Sequence, residues 1–144
     1  MAEKVIVRMK ADLKGEIWAP DPGDPESDEI RPVENLNGLT SYGMLMAGLG
    51  TCTALLLHTY ARHHRLTLDE VEFVIQYRRV FAKDMEIYDQ IIKFDEYIEQ
   101  EIILTGELTP GERDRLFVIA DRCPVNRMLK EGIDVKSTLI RELE

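Results

Sequence analysis

Histidine, tryptophan and cysteine are scarce in this chain: three, one and two residues among 144. Two cysteines do not make a disulfide-stapled scaffold, and a chain of this length buries a core without one. There is no C-x-x-C or H-x-x-x-H pair, so a zinc site is weakly supported. Positive charge is short as well. Eighteen Lys and Arg against 27 Asp and Glu leave a net charge of −9, without the basic excess that nucleic-acid binding needs.

The opening Met1–Arg8 carries charges and no sustained apolar run, so no secretory signal is read there. The expected compartment is the cytosol, where two cysteines more often mean free thiols or redox chemistry than scaffolding. Between Asn35 and Ala61 there is no Asp, Glu, Lys or Arg. The strongly apolar part, Met44 to Leu57, covers 14 residues and is broken by two glycines and two threonines. A membrane span needs about 20 residues, so this reads as a buried core helix.

A single domain over residues 1–144 is expected, of α+β class with a mainly antiparallel sheet. Lys4–Lys10 alternates as a strand, and Lys14–Trp18 is a second short one. Ala19 to Gly38 reads as a long loop with prolines at 20, 22, 25 and 32 and Arg31 as its only cation. Thr40 or Ser41 caps a helix running to about Arg65, with Arg62, His63, His64 and Arg65 at its negative end. Gly43, Gly48 and Gly50 each cost that helix about 1 kcal/mol, which implies something pressed close to its backbone.

Val71–Phe81 reads as a strand with Val71, Phe73, Ile75 and Tyr77 on one face, and Tyr97–Thr105 as its antiparallel partner. The link Ala82–Glu96 is either a loop or a short helix. Thr109-Pro-Gly-Glu112 is a helix start with a capping box. Pro124 interrupts that helix, and a second short one reaches Lys130 and stops at Gly132. Ile133 to Ile140 is expected to close the chain as a strand.

Most buried cysteines are inert, and Cys52 alone would be read that way. His58 points away from it on the helix, and His63 lies about 16 Å along the axis, so no Cys-His dyad forms within the helix. The histidines are read as polar residues toward a helix end. Cys123 stands where a helix restarts at Pro124, and an N-cap there would favour a thiolate. Packing of the same thiol on the Leu116 and Ile119 face is equally allowed by the spacing.

Leu45-Met-Ala-Gly-Leu-Gly-Thr-Cys-Thr-Ala54, followed some 70 residues later by Ala120-Asp-Arg-Cys-Pro-Val125, resembles the osmotically inducible protein C / organic hydroperoxide resistance (OsmC/Ohr) family. The resemblance runs from about Leu39 to Ile140. It implies an intertwined homodimer with the active sites at the interface and no metal or organic cofactor. Cys52 falls on the peroxidatic cysteine, which attacks a peroxide, and Cys123 on the resolving one, which closes a disulfide. The implied substrate is an organic hydroperoxide or hydrogen peroxide, and a dithiol such as a lipoyl protein or thioredoxin is the implied reductant. The family's activating arginine falls nearest to Arg31. Where the family usually carries a glutamate this chain has Tyr42, so Tyr42, Glu34 and Gly48 are the residues expected to position or shape the pocket. The departure at Tyr42 leaves a second reading, a non-catalytic dimeric relative that binds a small apolar ligand or senses oxidants.

Overall fold

Alternation sets the core. In β1 (Ala2–Lys10) Val5, Val7 and Met9 are buried, and in β4 (Glu70–Phe81) Val71, Phe73, Ile75 and Tyr77 are, as a period of two requires for one covered face. The strands pair antiparallel with Val5 opposite Ile75 and Val7 opposite Phe73, so both apolar rows point to the same side. The computed structural model describes residues 2–81 and 94–140. The link Ala82–Glu96 therefore falls outside the described residues, except for its last three, which are strand.

Around this pair lie β2 (Gly15–Pro20), β3 (Ile30–Pro32) and β5 (Phe94–Thr105), in the order β3-β2-β1-β4-β5, every neighbour antiparallel. The helix α1 (Ser41–His63) crosses the apolar face, burying Met46, Leu49, Ala54 and Leu57. Met46, Leu49 and Leu57 contribute about 1.5–3 kcal/mol each. Its entry is fixed by Thr40, whose hydroxyl accepts from Gly43 N–H at 3.0 Å and donates to Glu3 on β1 at 2.9 Å. After β5 come α2 (Pro110–Ala120), with the Thr109–Glu112 capping box intact, and α3 (Pro124–Glu131). By length and composition α1 could cross a membrane, but half of its most apolar window is buried in the fold. It is the core helix.

Four expectations change. The acidic loop contains a strand, β3, and its first two residues belong to β2, because Ala19 and Pro20 pair with Arg31 and Ile30. Ile133–Ile140 is not a strand: it pairs with nothing among the described residues, and Ile133, Val135 and Leu139 are 65, 82 and 89% exposed. Alternation marks a segment fit for a sheet, but a free edge must be within reach. His58 is not a helix-end residue; it is 2% exposed, with Nε2 at 2.8 Å from the carbonyl of Met9, which can only accept. Finally, the close approach to α1 is at Gly50, where an added Cβ would meet Val7 Cγ2 at 2.7 Å and Ile75 Cδ1 at 2.9 Å. Gly48 is exposed and faces open space.

Candidate active site

Leu49, Cys52 and Thr53 lie on adjacent turns of α1, which also packs against α3. Pro124 cannot donate a backbone hydrogen bond and begins a new helix, which makes Cys123 its N-cap. The restart turns Cys123 inward until it is fully buried, while Cys52 stays partly exposed. Their sulfurs stand 3.2 Å apart, joined by one thiol hydrogen bond in which either partner can supply the proton. Both cysteines are free. Two thiols in this contact can exchange a proton, and on oxidation they can close a disulfide.

Their surroundings differ. Burial pushes the Cys52 thiol up, and its bond to Cys123 adds to that against a smaller opposing pull from Val125 N–H. Burial is also the largest influence on Cys123, yet its thiol is held below the usual range. The Thr53 hydroxyl, the N–H groups of Asn126 and Val125 and the Cys52 thiol together outweigh it. The Cys123 side chain makes no formal cap hydrogen bond, so the first-turn N–H groups act on it as dipoles at longer range.

Beside the pair runs a cleft of 330 Å³ between α1, β4–β5 and α3. Its apolar walls include Leu45, Leu49, Ile98 and Leu129. Neither sulfur is in its wall, but Leu49 is one turn before Cys52 and Asn126 one turn after Cys123, so its lining adjoins the pair in sequence. A larger cavity of 610 Å³ lies under the acidic loop, lined by Glu3, Asp21, Asp24 and Asp28 among others. Of the two, the smaller has the lining residues nearer in sequence to the cysteines.

Arg31 is not brought to the cysteines. Its guanidinium pairs with Asp21 at 3.0 Å and lies over Gly38, just ahead of α1. Ser41 and Cys52 are 11 residues apart, about 16 Å along the helix axis. Glu34 is exposed, with no hydrogen bond or ion pair to the site among the described residues. Tyr42 does hold an arginine, but a different one. It stacks on Tyr77 with ring centroids 4.4 Å apart, and Arg79 donates to its hydroxyl and, at 3.2 Å, to that of Tyr77. Tyr77 in turn donates to Glu96 at 2.6 Å. Strand arginines more often face solvent, so Arg79 does not stand out in the sequence. The signal for it was parity: Arg79 follows Phe73, Ile75 and Tyr77 at steps of two, on the helix side of β4.

The family model for OsmC-like proteins matches residues 34–138. The chain belongs to the OsmC-like family. Arg31 lies just outside the matched range, whereas both cysteines are within it. Among solved structures, an OsmC-like hydroperoxide resistance protein from Jannaschia sp. CCS1 is 16% identical, with a TM-score of 0.63 over 97% of this chain and 94% of that one. At that identity the likeness speaks for the fold. No curated protein gives a match. An OsmC-like fold of this kind supports a peroxide-related role at the level of the family.

Proposed function

We propose that this OsmC-like protein is a cysteine-based peroxidase of the cytosol that reduces organic hydroperoxides or hydrogen peroxide. The observation that carries the reading is the 3.2 Å contact between the two sulfurs, one partly exposed and one buried. The Cys52 sulfur attacks the terminal peroxide oxygen, the O–O bond breaks, an alcohol leaves and Cys52 becomes a sulfenic acid. Cys123 then displaces the sulfenic oxygen as water and closes the disulfide. A dithiol such as a lipoyl protein or thioredoxin reopens it. The apolar cleft favours a hydroperoxide carrying a hydrocarbon group.

The working unit is a homodimer. Supporting this are the outer face of α1, where Met44, Leu45 and Leu55 are exposed around the open Gly48, and the unpaired apolar segment Ile133–Ile140. Arg31, on β3, is paired with Asp21 ahead of the start of α1 and has no contact with Cys52 of its own chain among the described residues. In the dimer it acts on the partner subunit's thiol, stabilising the leaving oxygen.

Peroxide consumption driven by a dithiol tests the reading. The protein should consume peroxide, Cys52→Ser should not, and Cys123→Ser should stall after one turnover. A wild-type protein inert to every hydroperoxide, yet binding an apolar ligand in the cleft, would favour the non-catalytic reading. The observation on that side is Tyr42, which occupies the position where the family usually has a glutamate and is already bound to Arg79.

A further inference from the structure

Gln100 breaks a row. On the side of the sheet that α1 covers, β5 presents Ile98, Gln100, Ile102 and Leu104, paired with Tyr77, Ile75, Phe73 and Val71 of the buried face. The three apolar ones pack against the core. Gln100 lines the cleft instead, and its side-chain carbonyl oxygen is buried with no hydrogen-bond partner among the described residues. The alternation of β5 calls for an apolar residue at this position, and a buried carbonyl left unpaired costs stability.

Other polar groups of the cleft are engaged within the protein. Tyr42 accepts from Arg79, Tyr77 donates to Glu96, and the Asn126 and Lys130 side chains donate to Asp121. Among the described residues, the remaining buried polar side-chain atoms without a partner belong to Trp18 and Arg31, which do not line this cleft.

We propose that Gln100 is the polar anchor of the cleft: its carbonyl accepts a hydrogen bond from the bound substrate, a hydroperoxide whose hydrocarbon group carries an O–H or N–H donor. The inference deepens the peroxidase reading above and rests on it.

Gln100 stands opposite Ile75, whose Cδ1 would lie 2.9 Å from a Cβ on Gly50, two residues before Cys52. Leu49, one turn before Cys52, shares the cleft wall with it. Neither sulfur is in that wall, so a hydroperoxide group that meets Cys52 leaves the rest of its molecule in the cleft. The hydrocarbon part packs on Leu45, Leu49, Ile98 and Leu129. A carbonyl oxygen can only accept, which fixes the sign of its partner. The peroxide oxygens are needed at the sulfur, so the donor is a second group on the substrate. One polar contact in an apolar cleft sets how far along it the molecule sits, and hence where the O–O bond falls. A plain alkyl hydroperoxide fills the same space and leaves the carbonyl unpaired.

Paired probes test this without any peroxide. Octanol carries a donor, and octyl methyl ether, with the same chain, does not. Titrations of the reduced protein followed by amide chemical shifts give both dissociation constants. The preference of wild type for the alcohol over the ether should fall about tenfold in Gln100→Met, the usual worth of one hydrogen bond. Gln100→Glu, which keeps the acceptor oxygens, should retain the preference. Urea unfolding should find Gln100→Met at least as stable as wild type, because an orphaned carbonyl has given way to an apolar side chain. A preference that survives in Gln100→Met, or is lost in a folded Gln100→Glu, would overturn the proposal. So would a Gln100→Met protein that unfolds at lower urea or sediments at a lower mass, since either makes the amide structural. Failure of the peroxidase reading looks different: the probes bind as described and no hydroperoxide is consumed.

Discussion

A Cβ added to Gly50 would stand 2.7 Å from Cγ2 of Val7, so α1 rests its backbone directly on β1. Ile75 on β4 closes the same contact at 2.9 Å. Both neighbours are β-branched and fully buried, with no room to turn aside. Gly50→Ala is therefore expected to destabilise the fold by about 1–3 kcal/mol despite the better helix propensity of alanine. Urea unfolding of the variant against wild type measures it, and an unchanged midpoint would show that α1 sits higher on the sheet.

Oxidation of the thiol pair should stabilise the fold. A bridge from Cys52 to Cys123 closes a loop of about 70 residues, worth about 4 kcal/mol in the chain-entropy model before any native strain is subtracted. Denaturant unfolding of the oxidised and reduced forms should separate by an amount of that order. Cys52→Ser should show no difference between oxidising and reducing buffer.

Tyr77 gives a pH dependence with a definite sign. Burial first, and its bond to Glu96 second, push the phenol from 10.0 up to about 12. Between those two values the folded protein keeps a proton that the unfolded chain has lost, so stability falls as pH rises. This contribution is complete below pH 10 and gone above about pH 12. Comparing the unfolding midpoint of wild type and Tyr77→Phe across that window should show the variant less sensitive to alkali, although less stable at neutral pH. Equal slopes would count against the network as drawn.

Arg31 is best tested by mixing. Arg31→Ala is expected to slow peroxide reduction by about 100-fold, a usual loss when a donor to a leaving oxygen is removed. Under the proposed arrangement, in which Arg31 acts across the dimer, coexpression with Cys52→Ser should restore one competent site, made of Cys52 from the first chain and Arg31 from the second. Recovery in the mixed dimer, with sedimentation confirming its mass, supports the arrangement. A wild-type protein that sediments as a monomer would rule it out.

Much of this was legible from one chain because local rules and tertiary packing agree. Thr40, the Thr109–Glu112 box and Pro124 mark helix ends through short-range hydrogen bonds, and the alternation in β1 and β4 names the core face. The cysteine pair could be read from its two motifs. What escaped depends on partners distant in sequence. β3 is three residues long and exists because Arg31 and Pro32 meet Ala19 and Trp18. His58 is buried because the carbonyl of Met9, 49 residues earlier, is there to meet it. Tyr42 looked like the loss of a charged positioner until Arg79 was found on it, and nothing near position 42 in the sequence indicates that.

Among the described residues β5 closes one side of the sheet, with no strand beyond it. An open edge is an invitation to any other chain. Asp95, Glu96, Glu99 and Glu101 crowd one end of this one, whereas Ile102, Ile103 and Leu104 carry no charge at the other. The guard is colloidal: it works while the molecule is an anion. As the medium approaches the isoelectric point near 4.9, repulsion between copies fades. The protein should then come out of solution edge to edge, with its core still intact.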